Sequence, residues 1–252
     1  MKRLFQKFVP IIVECNQGQK RLGVKDGGHL LYKEIFSKMS EPYIFPNKTF
    51  DSSIGFKKLF NFCKKIENPL VLGGDHAIGA STVMASIYKY PNVKVFWIDA
   101  HGDINTFNSS ISKNRHGMPV AMCVGLDKLW WRGNNINLPF ENLIYVGLRD
   151  LDKFEEEIIK KHKIKVFNVK KAVDYIKKCD EKIHISLDVD ALDPKYLDST
   201  GTIADNGLTP LSVRKIIESS LIGGKLVGLD IAEYNPELGD NKKSLVAMKK
   251  IF

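Results

Sequence analysis

Seven short apolar runs, at residues 9–13, 69–72, 93–98, 143–146, 164–167, 183–189 and 226–231, constrain this chain more than any other feature. Most are nearly continuous in Val, Ile, Leu and Phe. They lack the in–out alternation of a strand that shows one face to water, so they read as strands buried on both faces. Helical patterns at 29–39, 56–65, 78–88, 153–162, 172–178 and 211–221 lie between several of them. Strands of this kind alternating with amphipathic helices predict an α/β fold, a mainly parallel sheet covered by helices on both faces. No repeat, low-complexity stretch or linker interrupts the pattern, so residues 1–252 read as one domain. The most irregular stretch, 127–142, contains Arg132-Gly133-Asn134-Asn135 and reads as a surface excursion.

Composition narrows the function classes. A chain of 252 residues, 44% hydrophobic and 27% charged, is ordinary for a soluble protein and long enough to bury a sizeable core. Its formal charge is +9, but the lysines are scattered, often as pairs such as Lys64-Lys65, Lys160-Lys161 and Lys170-Lys171. No helix-turn-helix or aromatic RNA-binding signature accompanies them, so the base reads as a solvated surface and no nucleic-acid partner is expected. Cys15, Cys63, Cys123 and Cys179 form no C-x-x-C pair, which argues against a thiolate zinc site and a disulfide-dense secreted domain. Reduced cysteines in a cytoplasmic protein are the expectation. The apolar part of the N-terminus is short, broken by Pro10 and followed by Glu14, a poor signal peptide. No apolar run reaches the roughly 18 residues of a membrane span.

In open α/β sheets, sites form just beyond the carboxyl ends of the strands. Three runs end there in an unusual way. The first finishes in Gly73-Gly74-Asp75-His76, the second in Asp99-Ala100-His101-Gly102-Asp103, and the third in Asp188-Val189-Asp190-Ala191-Leu192-Asp193-Pro194. A strand alternates faces with a period of two, so Asp99, His101 and Asp103 can point one way, as can Asp188 and Asp190. Taken singly, His76 after a Gly-Gly turn reads as a turn residue, and Asp193-Pro194 as a turn signal. Taken together, Asp99, Asp103, Asp188 and Asp190 put four carboxylates in one place, where repulsion and desolvation oppose ionisation. Two divalent cations remove that conflict. With His76 and His101 completing the donor set, the pattern is that of a two-metal hydrolytic site, and its oxygen-rich ligands favour manganese over zinc.

In this order the chain carries G-G-D-H, D-A-H-G-D-I-N, H-G-M-P-V-A, S-L-D-V-D-A-L-D-P and G-L-D-I-A-E-Y-N-P, preceded by Gly18-Gln19-Lys20-Arg21-Leu22-Gly23-Val24. The set resembles the ureohydrolase family of arginases and agmatinases across residues 9–237. The resemblance implies a three-layer α/β/α sandwich around a sheet of about eight strands. It implies two Mn2+ ions bridged by Asp99 and Asp188, with His76 and Asp103 completing one shell and His101 and Asp190 the other. It also implies hydrolysis of a guanidinium group by a metal-bridging hydroxide, since water between two cations loses its proton near neutral pH. Asp103 would take the remaining hydroxyl proton, Glu233 would hold the guanidinium, and His116 would carry a proton to the departing amine. Without the motif, Glu233 reads as a surface carboxylate and His116 as a loop histidine before a helix starting at Pro119.

Within the family, Asn105, Ser110, Ser112 and Asn114 match the arginase positions that hold the substrate α-carboxylate. Asp152 matches the position that takes the α-ammonium, with Glu155 just beyond it. The resemblance therefore implies L-arginine as substrate, with L-ornithine and urea as products. Agmatinase, another guanidino-compound hydrolase, and a metal-binding homologue without turnover stay open as alternatives. Three departures stand out. Gly102 and Ala77 occupy positions where Thr and Ser are usual, and only 19 residues follow Glu233. The shortness of that segment counts against the homo-trimer that the resemblance implies.

Overall fold

The computed structural model of the chain describes residues 4–128 and 136–252. Eight strands are present: β1 (Val9–Val13), β2 (Tyr43–Phe45), β3 (Pro69–Leu72), β4 (Lys94–Ile98), β5 (Leu143–Val146), β6 (Lys165–Phe167), β7 (Ile183–Asp188) and β8 (Leu226–Ala232). They form one sheet in the order β2-β1-β3-β8-β7-β4-β5-β6, and every pairing is parallel. The helices are α1 (Gly27–Leu31), α2 (Ser53–Cys63), α3 (Gly79–Lys89), α4 (Pro119–Cys123), α5 (Lys153–Lys161), α6 (Val169–Lys178), α7 (Pro210–Leu221) and α8 (Asn241–Ile251).

Strand alternation sorts the core into two layers. On β4, Phe96 and Ile98 face one side while Val95 and Trp97 face the other; β5 divides the same way between Ile144 with Val146 and Leu143 with Tyr145. The first side packs against Leu31 of α1, Ile176 of α6, Val213 and Ile217 of α7, and Met248 of α8. The second packs against Leu59 of α2, Val83 of α3, Ala121 of α4 and Ile158 of α5. Helices thus flank a parallel sheet on both faces, as the near-continuous apolar runs require.

The register decides where chemistry can occur. Leu72, Ile231, Leu187 and Ile98 lie in one row across β3, β8, β7 and β4. The polar segments after these residues therefore leave the sheet side by side, at the carboxyl edge where the chain order reverses.

Three elements differ from the expectation. The 29–39 pattern is a short α1 followed by one wider turn over Tyr32–Phe36. The edge strand β2 and the last helix α8 were not apparent from the apolar pattern. Of the irregular stretch 127–142, residues 129–135 lie outside the described residues; Phe140–Asn142 form a single tight turn. The four cysteines are free and buried, and among the described residues no helix is long and apolar enough to cross a membrane.

Candidate metal centre

At the carboxyl edge, β3 breaks off at Gly73 because the chain must pass very close to β1. A Cβ on Gly74 would lie 1.7 Å from the Cys15 carbonyl oxygen. Asp75 then accepts from Ala77 N at 3.0 Å and from Gly18 N at 2.9 Å, closing the tight turn that presents His76. Burial, and after it the charge of Glu233, pushes the Asp75 carboxyl above its ordinary range. Asp75 belongs to no expected role, yet it fixes the entry of His76 into the site.

His76 is fully buried and its Nδ1 faces three carboxylates: Asp99 Oδ2 at 3.1 Å, Asp103 Oδ2 at 3.1 Å and Asp188 Oδ2 at 3.2 Å. The second histidine, His101, has Nδ1 3.2 Å from Asp190 Oδ2 and 3.5 Å from Asp99 Oδ1. Two groups of donor atoms compact enough to hold a cation result: His76 with Asp99 and Asp103, and His101 with Asp99 and Asp190. Asp99 belongs to both. Its carboxylate is oriented by Trp97 Nε1 at 2.9 Å and by the His101 backbone N–H at 2.7 Å, and the Trp97 ring stacks on His76 with centroids 4.3 Å apart. Asp188 accepts from Asp190 N, and Asp190 from Thr202 Oγ1 at 2.7 Å. All six expected ligands therefore converge, with Asp188 beside the first group.

Electrostatics indicate what this cluster would hold. Burial drives Asp188 well above the carboxylate range, with Asp190 and Asp99 adding to it; burial and then Asp99 push Asp103 up to about 6. Asp190 is raised by burial and Asp99. For Asp99, burial acts upward, but His101 and His76 outweigh it and hold the carboxyl low. For both histidines burial acts downward, yet the surrounding carboxylates raise them far above ordinary imidazole. His76 Nδ1 and Asp103 Oδ2 are buried without any hydrogen-bond partner. Buried polar atoms are almost always satisfied, and these two lie 3.1 Å apart within one donor group, as two ligands of a single cation can. The donor set fits a divalent metal.

Beside it, His116 Nδ1 lies 3.1 Å from Glu233 Oε1, which also accepts from His76 N at 2.8 Å; Gln19 Nε2 donates to Glu233 Oε2. Burial would lower the His116 imidazole, but the Glu233 charge and hydrogen bond raise it to about 9. Glu233 is lowered in return, His116 outweighing its burial. Asp103 and Glu233 both hold left-handed backbone, at φ 50° and 66°. Such geometry costs on the order of 1 kcal/mol or more for a non-glycine residue and persists where the surroundings over-determine it.

A cleft of about 300 Å³ opens beside these groups, lined by His101, Asp103, His116, Asp188 and Thr202 and by Asn105, Ser110, Ser112, Asn114, Asp152 and Glu155. Asn105, Ser110, Ser112, Asn114, Asp152 and Glu155 thus reach the same cleft, whereas Glu233, expected to hold the guanidinium, is 1% exposed and lies behind His116. Their present partners differ, however. Asn105 Nδ2 donates to Asp152 Oδ2 at 2.6 Å. Glu155 is 5% exposed and completes a reciprocal capping box with Asp152 at the start of α5, while Oε1 also accepts from Ile104 N. Its carboxyl is raised to about 8, by burial first and then by Asp103 and Asp152. The departure at Gly102 is explained here, because a Cβ would come within 2.9 Å of Glu155 Oε1. Sequence reasoning passed over Gln19, Asp75 and Thr202; each acts on a partner that no local pattern announces.

The chain matches the model of the Arginase family over residues 19–252. It is 37% identical to the arginase of Plasmodium berghei (strain Anka) over 208 residues, covering 75% of this chain and 59% of that protein. It is 38% identical to the arginase of Staphylococcus aureus (strain MRSA252) over 194 residues, covering 70% of this chain and 64% of that protein. The matched part is therefore less than two thirds of the length of these relatives. Among solved structures, an Entamoeba histolytica arginase in complex with L-ornithine superposes with a TM-score of 0.84 at 26% identity, covering 97% of both chains. An arginase from Bacillus subtilis gives 0.82 at 29% identity, covering 97% of this chain and 96% of that one.

Proposed function

The chain belongs to the arginase family, and from that premise we propose that it is a manganese-dependent hydrolase that cleaves the guanidinium group of L-arginine to L-ornithine and urea. The observation that carries this reading is the pair of donor groups sharing Asp99, with His76 Nδ1 and Asp103 Oδ2 buried and unpartnered. Two donor groups sharing one carboxylate fit two cations, held by His76, Asp99, Asp103, Asp188, His101 and Asp190. The predominance of oxygen ligands favours Mn2+. When bound, the ions would supply a water acidic enough to lose its proton near neutral pH and the charge that balances the buried carboxylates.

The remaining tasks fall to side chains. Asp103, whose carboxylate lines the cleft, can take a proton from the attacking water. Glu233 Oε2, now engaged by Gln19, is the atom on which the substrate guanidinium would replace that amide; paired N–H···O contacts then orient its carbon. His116 has Nδ1 committed to Glu233, so the proton on Nε2 is the one available to the departing amine. An imidazole raised to about 9 carries that proton at neutral pH. At the outer end of the cleft, Asn105, Ser110, Ser112 and Asn114 offer hydrogen bonds to a carboxylate, and Asp152 offers a charge to an ammonium. Glu155 supports Asp152 through the capping box.

The reading extends to a single domain acting in the cytoplasm, and sedimentation would decide whether the chain forms a homo-oligomer. Urea release from arginine, agmatine and guanidinobutyrate, measured on Mn-loaded protein, after chelation and after Mn2+ restoration, tests the activity. Expected is arginine turnover that chelation abolishes and Mn2+ restores. Agmatine turnover without arginine turnover would replace the substrate assignment. Failure with every guanidino compound would leave a metal-binding homologue.

A further inference from the structure

Beneath the metal centre lies a polar seam that the reaction does not use. It runs on the α2–α3 side of the sheet. His184 and Ser186 take alternate positions of β7, Asp230 is central in β8, and Thr82 and Ser86 face them from α3. Of these, His184, Ser186 and Asp230 are 0% exposed, Thr82 is 1% and Ser86 3%. Burying so many polar groups between two apolar layers is costly unless each is paired, and here each is. His184 Nε2 lies 2.7 Å from Asp230 Oδ1, Thr82 Oγ1 donates to the same oxygen at 2.6 Å, and His184 Nδ1 meets Ser86 Oγ at 2.7 Å. The other Asp230 oxygen accepts from Ser186 Oγ, and Ser186 Oγ lies 2.8 Å from His76 Nε2.

The direction of this chain follows from what each group can do. A carboxylate only accepts, so the Ser186 hydroxyl spends its proton on Asp230. The serine oxygen can then only accept from His76, which places a hydrogen on His76 Nε2. The other ring nitrogen, Nδ1, is the atom that faces Asp99, Asp103 and Asp188. For a cation to bind there, Nδ1 must offer its lone pair, and the neutral tautomer that does so is the one with hydrogen on Nε2. We propose that Ser186 and Asp230 are positioning residues for the metal at the His76 pole: through the Asp230–Ser186–His76 hydrogen bonds they select the imidazole tautomer and hold the ring angle that ligation needs. His184, Thr82 and Ser86 keep Asp230 in place. The inference rests on the metal-centre reading above, and it adds residues that touch neither metal nor substrate.

The small side chains of α3 make the seam possible. A Cβ at Gly79 would sit 2.6 Å from the Trp97 ring and 3.4 Å from Ser186 Oγ, and one at Gly228 would sit 2.5 Å from His184 Nδ1. Helix and strands therefore close directly over the polar groups, leaving little freedom in the hydrogen-bond route.

Ser186→Ala tests this with Mn2+ alone as the probe. Metal affinity is measured by competition with a metallochromic chelator, and low-temperature EPR reads the interaction between paired Mn2+ ions. Wild type should take up two equivalents. In Ser186→Ala one of them should weaken by about 10- to 100-fold, the size typical for lost partners of metal-bound histidines, and the paired-ion signal should fall while the second equivalent is retained. In a His76→Asn background, Ser186→Ala should change nothing further, which a merely structural role would not produce. Thr82→Val, which removes one donor from Asp230 and conserves volume, should move affinity the same way by a smaller factor and serves if Ser186→Ala does not fold. Two equivalents bound by both single variants with wild-type affinity would overturn the inference and leave the metal centre standing. No Mn2+ uptake by the wild type would overturn both.

Discussion

Replacing Glu233 by Gln should lower the titration of His116 from about 9 toward the ordinary imidazole value. Burial by itself presses His116 down, because charging a buried imidazole loses hydration. What reverses this is first the Glu233 charge and then its hydrogen bond, at 3.1 Å from Nδ1, with Asp103 and Asp75 adding smaller upward pulls. The distance from about 6.5 to the raised value corresponds to roughly 3 kcal/mol favouring the imidazolium. Glutamine keeps the shape and removes the charge, so burial should then be opposed only by Asp103 and Asp75, and the titration should fall back toward the ordinary imidazole range. Because the folded-state pKa is raised, the stabilisation is fully present below the unfolded value and is lost as pH rises through the folded one. Wild type should therefore lose the His116 contribution to stability from near neutrality up to about pH 9, and over that range the variant's slope should be shallower by that contribution. Heteronuclear NMR of the imidazole nitrogens in metal-free protein reads the titration directly, with His116→Asn identifying the resonance among the six histidines. If His116 still titrated near 9 in the variant, or near 6.5 in the wild type, the Glu233–His116 pairing would not be what sets its charge.

Two shorter predictions probe the scaffold. Asp99→Asn should abolish retention of both metal equivalents, because Asp99 belongs to both donor groups, whereas Asp190→Asn should weaken one of them; metal analysis after gel filtration reads this, and two equivalents kept by Asp99→Asn would refute it. Gly74→Ala forces a Cβ to within 1.7 Å of the Cys15 carbonyl, and the backbone shift should cost about 3 kcal/mol. That corresponds to a melting temperature lower by roughly 6 to 12 °C in a chain of this size, and calorimetry showing no change would contradict the close approach.

What could be read from sequence and what could not divide along physical lines. Long β strands buried on both faces announce themselves through apolar content, and the six ligands follow because they end those strands. Strand β2 does not, since it is three residues between Pro42 and Pro46, with Tyr43 and Ile44 about half exposed at a sheet edge. Helix α8 begins with Asn241-Lys242-Lys243 and buries only Ser244, Ala247, Met248 and Ile251, too thin a stripe to stand out. Glu155 was read as a substrate group when the Asp152-x-x-Glu155 spacing already offered a capping box, and the structure makes that box. Gln19 reaches Glu233 across 214 positions, a contact that only the sheet order creates. The seam residues did leave a signal: in β7, His184 and Ser186 interrupt an apolar strand with a period of two, which places both on one buried face.

The same topology explains a charge of +9 on a chain whose cleft is acidic. Lysines at the amino edge of the sheet are spent on main-chain carbonyls: Lys89 on Ile66 and Glu67, Lys165 on Glu141, Lys182 on Gly224, and Lys225 on Ile176 and Cys179. These carbonyls lie just before a strand or at the end of α6, places where a cationic donor stabilises. At the carboxyl edge the balance reverses, with Asp75, Asp99, Asp103, Asp188, Asp190 and Glu233 buried together. Lys89, Lys165, Lys182 and Lys225 thus act as individual caps at one end of the strands. The guanidinium substrate proposed above would meet concentrated acid at the other end, where the strand termini also hold the groups proposed to act on it.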